Sequence, residues 1–186
     1  MPFYIMKQDT LMEDIAYLDG LPDDMDALEW QEGKIMSPPS EKLVLNLSLD
    51  SGGNRGDIID GFATLYSDEL KEALEVNGVD NVRFYPVLLL DPNDNTTERG
   101  FWLANIIGLF DCIDMINSKV KYWASGMGFN FLSMVIDESK TNGAKIFRLK
   151  EDPTKVIINQ ELKDYFDKTN MLIGVTLIQT ENYSDW

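Results

Sequence analysis

One order of residue types is written twice in this chain, and it limits the fold more than any single motif does. Ala63 to Tyr66 is a short apolar run with the character of a strand. Ser67 follows as an N-cap, Asp68 and Glu69 suit a first helical turn, and Leu70, Ala73 and Leu74 form an apolar helix face that Asn77 and Gly78 close. Val82 to Leu90, interrupted by Pro86, predicts the strand that comes next. The later passage runs in the same order: a strand at Lys155 to Ile158, Asn159 as N-cap, a helix over Glu161 to Asp167, Asn170 as its end, and a strand over Ile173 to Ile178. Leu65 aligns with Ile157, Glu69 with Glu161, Leu70 with Leu162, Lys71 with Lys163, Glu72 with Asp164 and Leu74 with Phe166. Self-similarity of this extent carries more weight than any one helix assignment. Duplication produces it, and so does convergence of strand–helix–strand units on one pattern; both readings stay open. The expected class is α+β, with mixed β-sheets and two similar strand–helix–strand units.

The remaining chain predicts smaller elements. Phe3 to Met6 reads as an opening strand, and an acidic stretch follows with a short helix around Met12 to Leu18. Leu28 to Trp30 and Lys34 to Met36 flank a hairpin-like turn at Gln31, Glu32 and Gly33, and Pro38 and Pro39 then break the chain. Leu43, Leu45, Leu47 and Leu49 alternate with Val44, Asn46 and Ser48, the period of a half-buried strand, although a leucine-rich run also suits a helix. Phe101 to Leu109 and Phe110 to Met115 are strand-like, with Asp91 to Gly100 as the loop before them. Tyr122 to Phe131 reads as irregular, and Met134 to Asp137 pairs with Lys145 to Leu149 around Thr141, Asn142 and Gly143. We expect residues 1–55 to be an N-terminal strand and acidic segment packed on a main body, residues 56–186, in a single globular unit.

Composition narrows the chemistry. There is no histidine, one cysteine (Cys112), and 32 acidic against 16 basic side chains, for a net charge of -16. Proton transfer would fall to carboxylates, lysines or tyrosines. A Ser-His-Asp or Cys-His arrangement is impossible within the chain, and one cysteine makes neither a thiolate zinc cluster nor an intrachain disulfide. Ser37 to Ser40 does not supply Ser-x-x-Lys. The loop Ser51 to Gly56 lacks the Lys-Ser/Thr ending of a phosphate-binding loop and reads as a turn or linker. Asp91, Asn93 and Asn95 imitate the start of a calcium loop, but Thr96 stands where glycine is needed and Trp102 where glutamate is needed. Carboxylate pairs such as Asp111 with Asp114, or Asp137 with Glu138, are expected by chance in so acidic a chain. No cofactor and no metal is expected. The first residues have neither the basic region nor the apolar length of an export signal, and no window approaches a membrane span. A cytoplasmic protein is therefore expected, and the triplets at Asn46, Asn95 and Asn182 are chance matches to a glycosylation signal.

The acidic excess repels nucleic acid and anionic lipid and attracts a basic partner, although solubility alone also accounts for it. Candidate contact residues are Asp23, Asp24 and Asp26 in the N-terminal acidic stretch, and Tyr122 and Trp123 in the aromatic, glycine-containing stretch. Phe129, Phe131, Trp30 and Trp102 read as core residues, and Trp186 as a frayed end.

Several segments resemble a known family. They are "KIFRL" at Lys145 to Leu149 and "VIINQEL" at Val156 to Leu162, "FWLANII" at Phe101 to Ile107, and "DCIDMINS" at Asp111 to Ser118. To these add "GDII" at Gly56 to Ile59, "LYSDELKEAL" at Leu65 to Leu74 and "VRFYPV" at Val82 to Val87. Together they resemble the eleventh class of bacterial immunity proteins from polymorphic toxin systems, formerly a domain of unknown function. The likeness runs from about residue 56 to the end and rests on strands and caps, not on catalytic groups; Ile158 and Asn159 stand where valine and serine are common. What the resemblance implies is a non-enzymatic protein that binds and neutralises a cognate toxin effector in the cytoplasm of the producing cell. Two rival readings are an acidic nucleic-acid mimic that regulates another protein, and a carboxylate-based hydrolase.

Overall fold

The computed structural model describes residues 1–38, 42–61 and 63–185. Pro39, Ser40 and Trp186, named above, lie outside the described residues. Among the described residues, twelve strands and two α-helices follow in order: β1 (Phe3–Gln8), β2 (Leu43–Asn46), β3 (Ile58–Ile59), β4 (Leu65–Ser67), α1 (Asp68–Val76), β5 (Val82–Asp91), β6 (Thr96–Ile106), β7 (Leu109–Phe110), β8 (Lys119–Tyr122), β9 (Phe129–Ser133), β10 (Ile146–Leu149), β11 (Val156–Asn159), α2 (Gln160–Thr169) and β12 (Val175–Gln179). The first sheet has the order β12-β1-β11-β10-β7, the second β2-β5-β6-β4-β3, and β8 and β9 pair by themselves. Both large sheets mix parallel and antiparallel neighbours, and the class is α+β.

The two written-out units fold alike. β4 and β5 each run antiparallel to β6, which lies between them. β11 and β12 each run antiparallel to β1, which lies between those. The registers correspond as well: Leu65 faces Leu103 and Ser67 faces Phe101, while Ile157 faces Ile5 and Asn159 faces Phe3. Each helix is capped as its sequence dictates. Ser67 Oγ accepts from the Leu70 amide at 3.1 Å, and Asn159 Oδ1 from the Leu162 amide at 3.1 Å. Each central strand then presents an aromatic ring to the first turn of its helix. The Trp102 indole N–H donates to Asp68 Oδ1 at 2.5 Å, and the Tyr4 hydroxyl to Gln160 Oε1 at 2.6 Å. A lysine from the same helix lies over each ring, Lys71 Nζ at 4.8 Å from Trp102 and Lys163 Nζ at 5.4 Å from Tyr4. Trp102 is accordingly half-buried against a helix, not a core residue.

Strand alternation gives each large sheet two apolar faces. Leu70, Ala73 and Leu74 of α1 and Leu162 and Phe166 of α2 join Tyr66, Ala104 and Ile106 from one sheet and Met6, Ile146 and Ile158 from the other in one shared core. The opposite face of the second sheet buries Leu45, Leu65, Leu89 and Leu103 beneath Met25 and Trp30. The opposite face of the first sheet buries Ile5, Phe147 and Ile157 beneath Ile113, Phe131 and Met134. No helix among the described residues is long and apolar enough to cross a membrane.

Several expectations fail here. Phe110 to Met115 is no strand beyond Phe110 and keeps only the Ile113 bridge, and the loop Asp91 to Gly100 shrinks to 92–95 because β6 pairs with β5 from Thr96 onward. Residues 12–18 form turns and isolated bridges, Ile15 to Asn54 and Leu18 to Leu47, in place of a helix, because the segment is drawn out over the sheet. The expected hairpin around Gln31 to Gly33 is a 3-10 turn at Glu29–Gln31 that inserts Trp30 against Tyr85. Tyr122 to Phe131 is a β-hairpin, since Val120, Phe129 and Phe131 all face the core. Lys145 to Leu149 does become β10, but its partners are β11 and β7, and the stretch Met134 to Asp137 contributes a single bridge, Ile136 to Ile113. Pro86 is tolerated inside β5 because the parallel ladder with β2 begins only at Val87.

Candidate functional site

The aromatic tip of the β8–β9 hairpin is the best-formed exposed feature. Period-two alternation sets it up: Val120 and Phe131 point to the core, while Lys121 and Leu132 point to solvent. Phe129 meets Phe131 edge-on at 5.1 Å, and Tyr122 meets Phe129 edge-on at 5.8 Å. The turn closes with the Trp123 amide donating to the Gly128 carbonyl at 2.9 Å and the Gly126 amide donating to the Trp123 carbonyl at 2.9 Å. Gly126 sits at φ +71°, a conformation that glycine adopts without strain.

Trp123 is held in one place. Its indole N–H donates to Asn130 Oδ1 at 2.5 Å. Its ring lies flat over Gly128, where a Cβ would come within 2.7 Å of the six-membered ring. Even so, Trp123 is 54% exposed, Tyr122 65% and Met127 86%. Large apolar side chains that are both fixed and uncovered lose little entropy on binding, which is the property of an interface anchor.

The acidic candidates lie elsewhere. Asp23, Asp24 and Asp26 are exposed on the loop that Met25 and Trp30 pin to the second sheet, and Asp26 Oδ1 accepts from the Leu28 amide at 2.9 Å. Tyr122 and Trp123 belong to the cover of the first sheet, so the structure does not bring the two groups into one cluster. Met127 and Asn130 were not singled out by sequence; the signal was present in the paired alternation of Val120/Tyr122 and Phe129/Phe131 around a glycine-flanked turn.

The chemistry-bearing side chains elsewhere are mostly engaged in holding the fold. Asp57, within "GDII", is buried and accepts from the Ser67 hydroxyl at 2.6 Å and the Ile173 amide at 2.6 Å, so it ties the first unit to the second. Asp114 and Ser118 of "DCIDMINS" build a turn: Asp114 Oδ1 accepts from the Ile116 amide at 3.0 Å, and Ser118 Oγ from the Val135 amide at 2.9 Å. Asn105 of "FWLANII" accepts from the Met36 amide at 2.9 Å. Asp91, at the start of the calcium-like loop, receives Arg55 Nη2 at 3.0 Å, and Arg55 also grips Glu98. Burial, with the charges of Glu151 and Asp111 behind it, pushes the Cys112 thiol up to about 12, so it stays protonated at neutral pH and is no nucleophile. No group of three or more acidic or thiol side chains among the described residues is arranged to hold a metal ion.

A comparison with curated proteins returns no match. The family model described as "Immunity protein family (Imm11)" matches residues 4–181, from within β1 through β12, and the chain belongs to that family.

Proposed function

We propose that this chain is the cytoplasmic inhibitor of a cognate toxin effector, acting stoichiometrically by covering the toxin's working surface and catalysing nothing itself. The observation that carries this reading, beyond family membership, is the fixed but uncovered aromatic tip of the β8–β9 hairpin. Tyr122, Trp123 and Met127 supply the desolvated centre of the contact. The net charge of -16 acts at longer range: it steers a basic toxin inward and excludes an anionic substrate, with Asp23, Asp24 and Asp26 as the proposed steering patch. No cofactor and no nucleic acid takes part.

Co-expression of the chain with the toxin encoded beside it tests the reading. Growth should be rescued by the wild type and lost with a Tyr122→Ala/Trp123→Ala double variant that still folds. Binding should weaken by about 2 kcal/mol or more if these rings are anchors. Lysine at positions 23, 24 and 26 should instead slow association and flatten its salt dependence. A neighbour that is harmless alone, or that kills equally with and without the chain, would remove the immunity reading.

A further inference from the structure

A cavity of about 290 Å³ opens where β1, β10 and β11 meet the β3–β4 connection, and its wall includes Lys7, Asp60, Thr64, Arg148 and Lys155. Arg148 is its unusual member. The side chain leaves β10 on the inner face of the sheet and is only 3% exposed. Nη1 donates to the Pro153 carbonyl at 2.7 Å, while Nε is buried with no partner. No carboxylate among the described residues lies within ion-pair distance of the guanidinium. Burial pushes its pKa below the ordinary value, an effect that Tyr66 and Asp60 partly oppose from a distance.

A buried guanidinium with donors to spare is costly unless something accepts from it. Arginine keeps its proton, so it cannot escape the cost by becoming neutral. The other wall groups do not discharge it. Asp60 Oδ2 already accepts from the Gln8 amide at 2.9 Å. Lys155 is committed to Asp152 and to Asp185 Oδ1, the latter at 3.2 Å. Lys7 makes no ion pair among the described residues and adds a second positive charge to the wall. The Tyr66 hydroxyl, fully buried nearby, has no partner either. In a chain of net charge -16, this wall carries Lys7, Arg148 and Lys155 against the one carboxylate of Asp60, a local excess of positive charge.

We propose that this cavity binds a small oxyanion of the phosphate or carboxylate class, held by the free edge of the Arg148 guanidinium with Lys7 and the Thr64 hydroxyl beside it. The space admits one such ion together with a few waters. The site is independent of the aromatic tip and does not rest on the toxin reading.

The test is titration of inorganic phosphate, and separately of acetate, into the full chain at fixed ionic strength, followed by calorimetry and thermal unfolding. At least one anion should bind saturably at one site per chain, with the melting temperature rising in step with occupancy. Which one saturates identifies the source, a phosphate or a carboxylate. Arg148→Gln should weaken binding by about tenfold or more, as loss of a charge-assisted pair requires. Lys7→Gln and Thr64→Val, at partly exposed positions, keep the proposal falsifiable if Arg148→Gln fails to fold; each should weaken binding a few-fold. A stabilisation that rises without saturating is the general exclusion effect of such salts and overturns the proposal. Saturable binding that none of these variants moves overturns it equally, because the ion then sits elsewhere.

Discussion

The two strand–helix–strand units share caps, registers, aromatic latches and a common core, but they obtain their central strands differently. In the first unit β6 follows β5 through a tight hairpin, so everything from 58 to 106 closes locally. In the second unit the central strand is β1, which must come from the opposite end of the chain to reach β11 and β12. Identical local instructions therefore produce one unit that can assemble from contiguous residues and one that cannot form until the termini meet. The ordering cost of that closure falls on the second unit alone.

Deleting equivalent core side chains gives the largest test. Leu70→Ala and Leu162→Ala each empty a site that is 0% exposed in the same shared core. Each should cost about 3 kcal/mol, read from urea unfolding. Both should lower one common transition. Two separate transitions would show that the units are independent bodies and would break the comparison.

Asp57→Ala comes next. It strips the acceptor from the Ser67 hydroxyl and from the Ile173 amide, so it loosens the α1 cap and the entry to β12 together. A loss of about 2 kcal/mol is expected. Asn159→Ala, which removes only the α2 cap, should cost about 1 kcal/mol, and Ser67→Ala, which removes the α1 cap and the donor to Asp57 together, should cost about 1–2 kcal/mol. Hydrogen exchange sharpens the comparison: Asp57→Ala should speed exchange in both units, and Asn159→Ala chiefly in α2.

The helix ends provide a smaller contrast. α1 ends with Gly78 in the left-handed region at φ +73°, α2 with Asn170 at φ +48°. Nothing lies within 4 Å of a Cβ built on Gly78, so Gly78→Ala should cost about 1 kcal/mol through backbone strain alone. Asn170→Gly should change stability by less than about 0.5 kcal/mol, since relief of strain is offset by a more flexible unfolded chain. Equal and large effects at both ends would mean that packing, not backbone conformation, sets these caps.

These tests follow the line between what the residues disclosed and what they did not. Ser67, Asn159 and the apolar faces of α1 and α2 were legible because caps and 3.6-residue periodicity act within one turn. The pairing of β1 with β11 was not, because strand partners are chosen across the whole chain and Phe3 to Met6 carries no mark of its neighbours. Residues 12–18 misled for the same reason: their apolar spacing suits a helix, but the segment is stretched by bridges to Asn54 and Leu47. The rings of Tyr122 and Trp123 were recognisable as candidates, whereas the hairpin that fixes them depends on Phe129 and Phe131 reaching a core built by other strands. Arg148 left no trace in the sequence, since an arginine inside "KIFRL" reads as the polar face of a strand until a second sheet covers it.

The smallest contrast lies in the turns that lead into the two units. The turn before β11 carries Glu151, whose Oε2 is buried without a partner, whereas Asp60, in the turn before β4, is hydrogen-bonded to Gln8. Burial, reinforced by the negative charge of Asp111, raises the Glu151 carboxyl above its ordinary value. The native state then holds more protons than the unfolded state between those two values, so this group's contribution declines as pH rises through that interval and stays low above it. Glu151→Gln removes the burden. The variant should be slightly more stable than the wild type at neutral pH, and the difference should shrink as pH falls below about 4, where the wild-type carboxyl is protonated in both states. Denaturant midpoints of both proteins across this range decide the matter. A difference that grows on acidification would mean that Glu151 is held as a carboxylate by a favourable partner, and the two turns would then be alike after all.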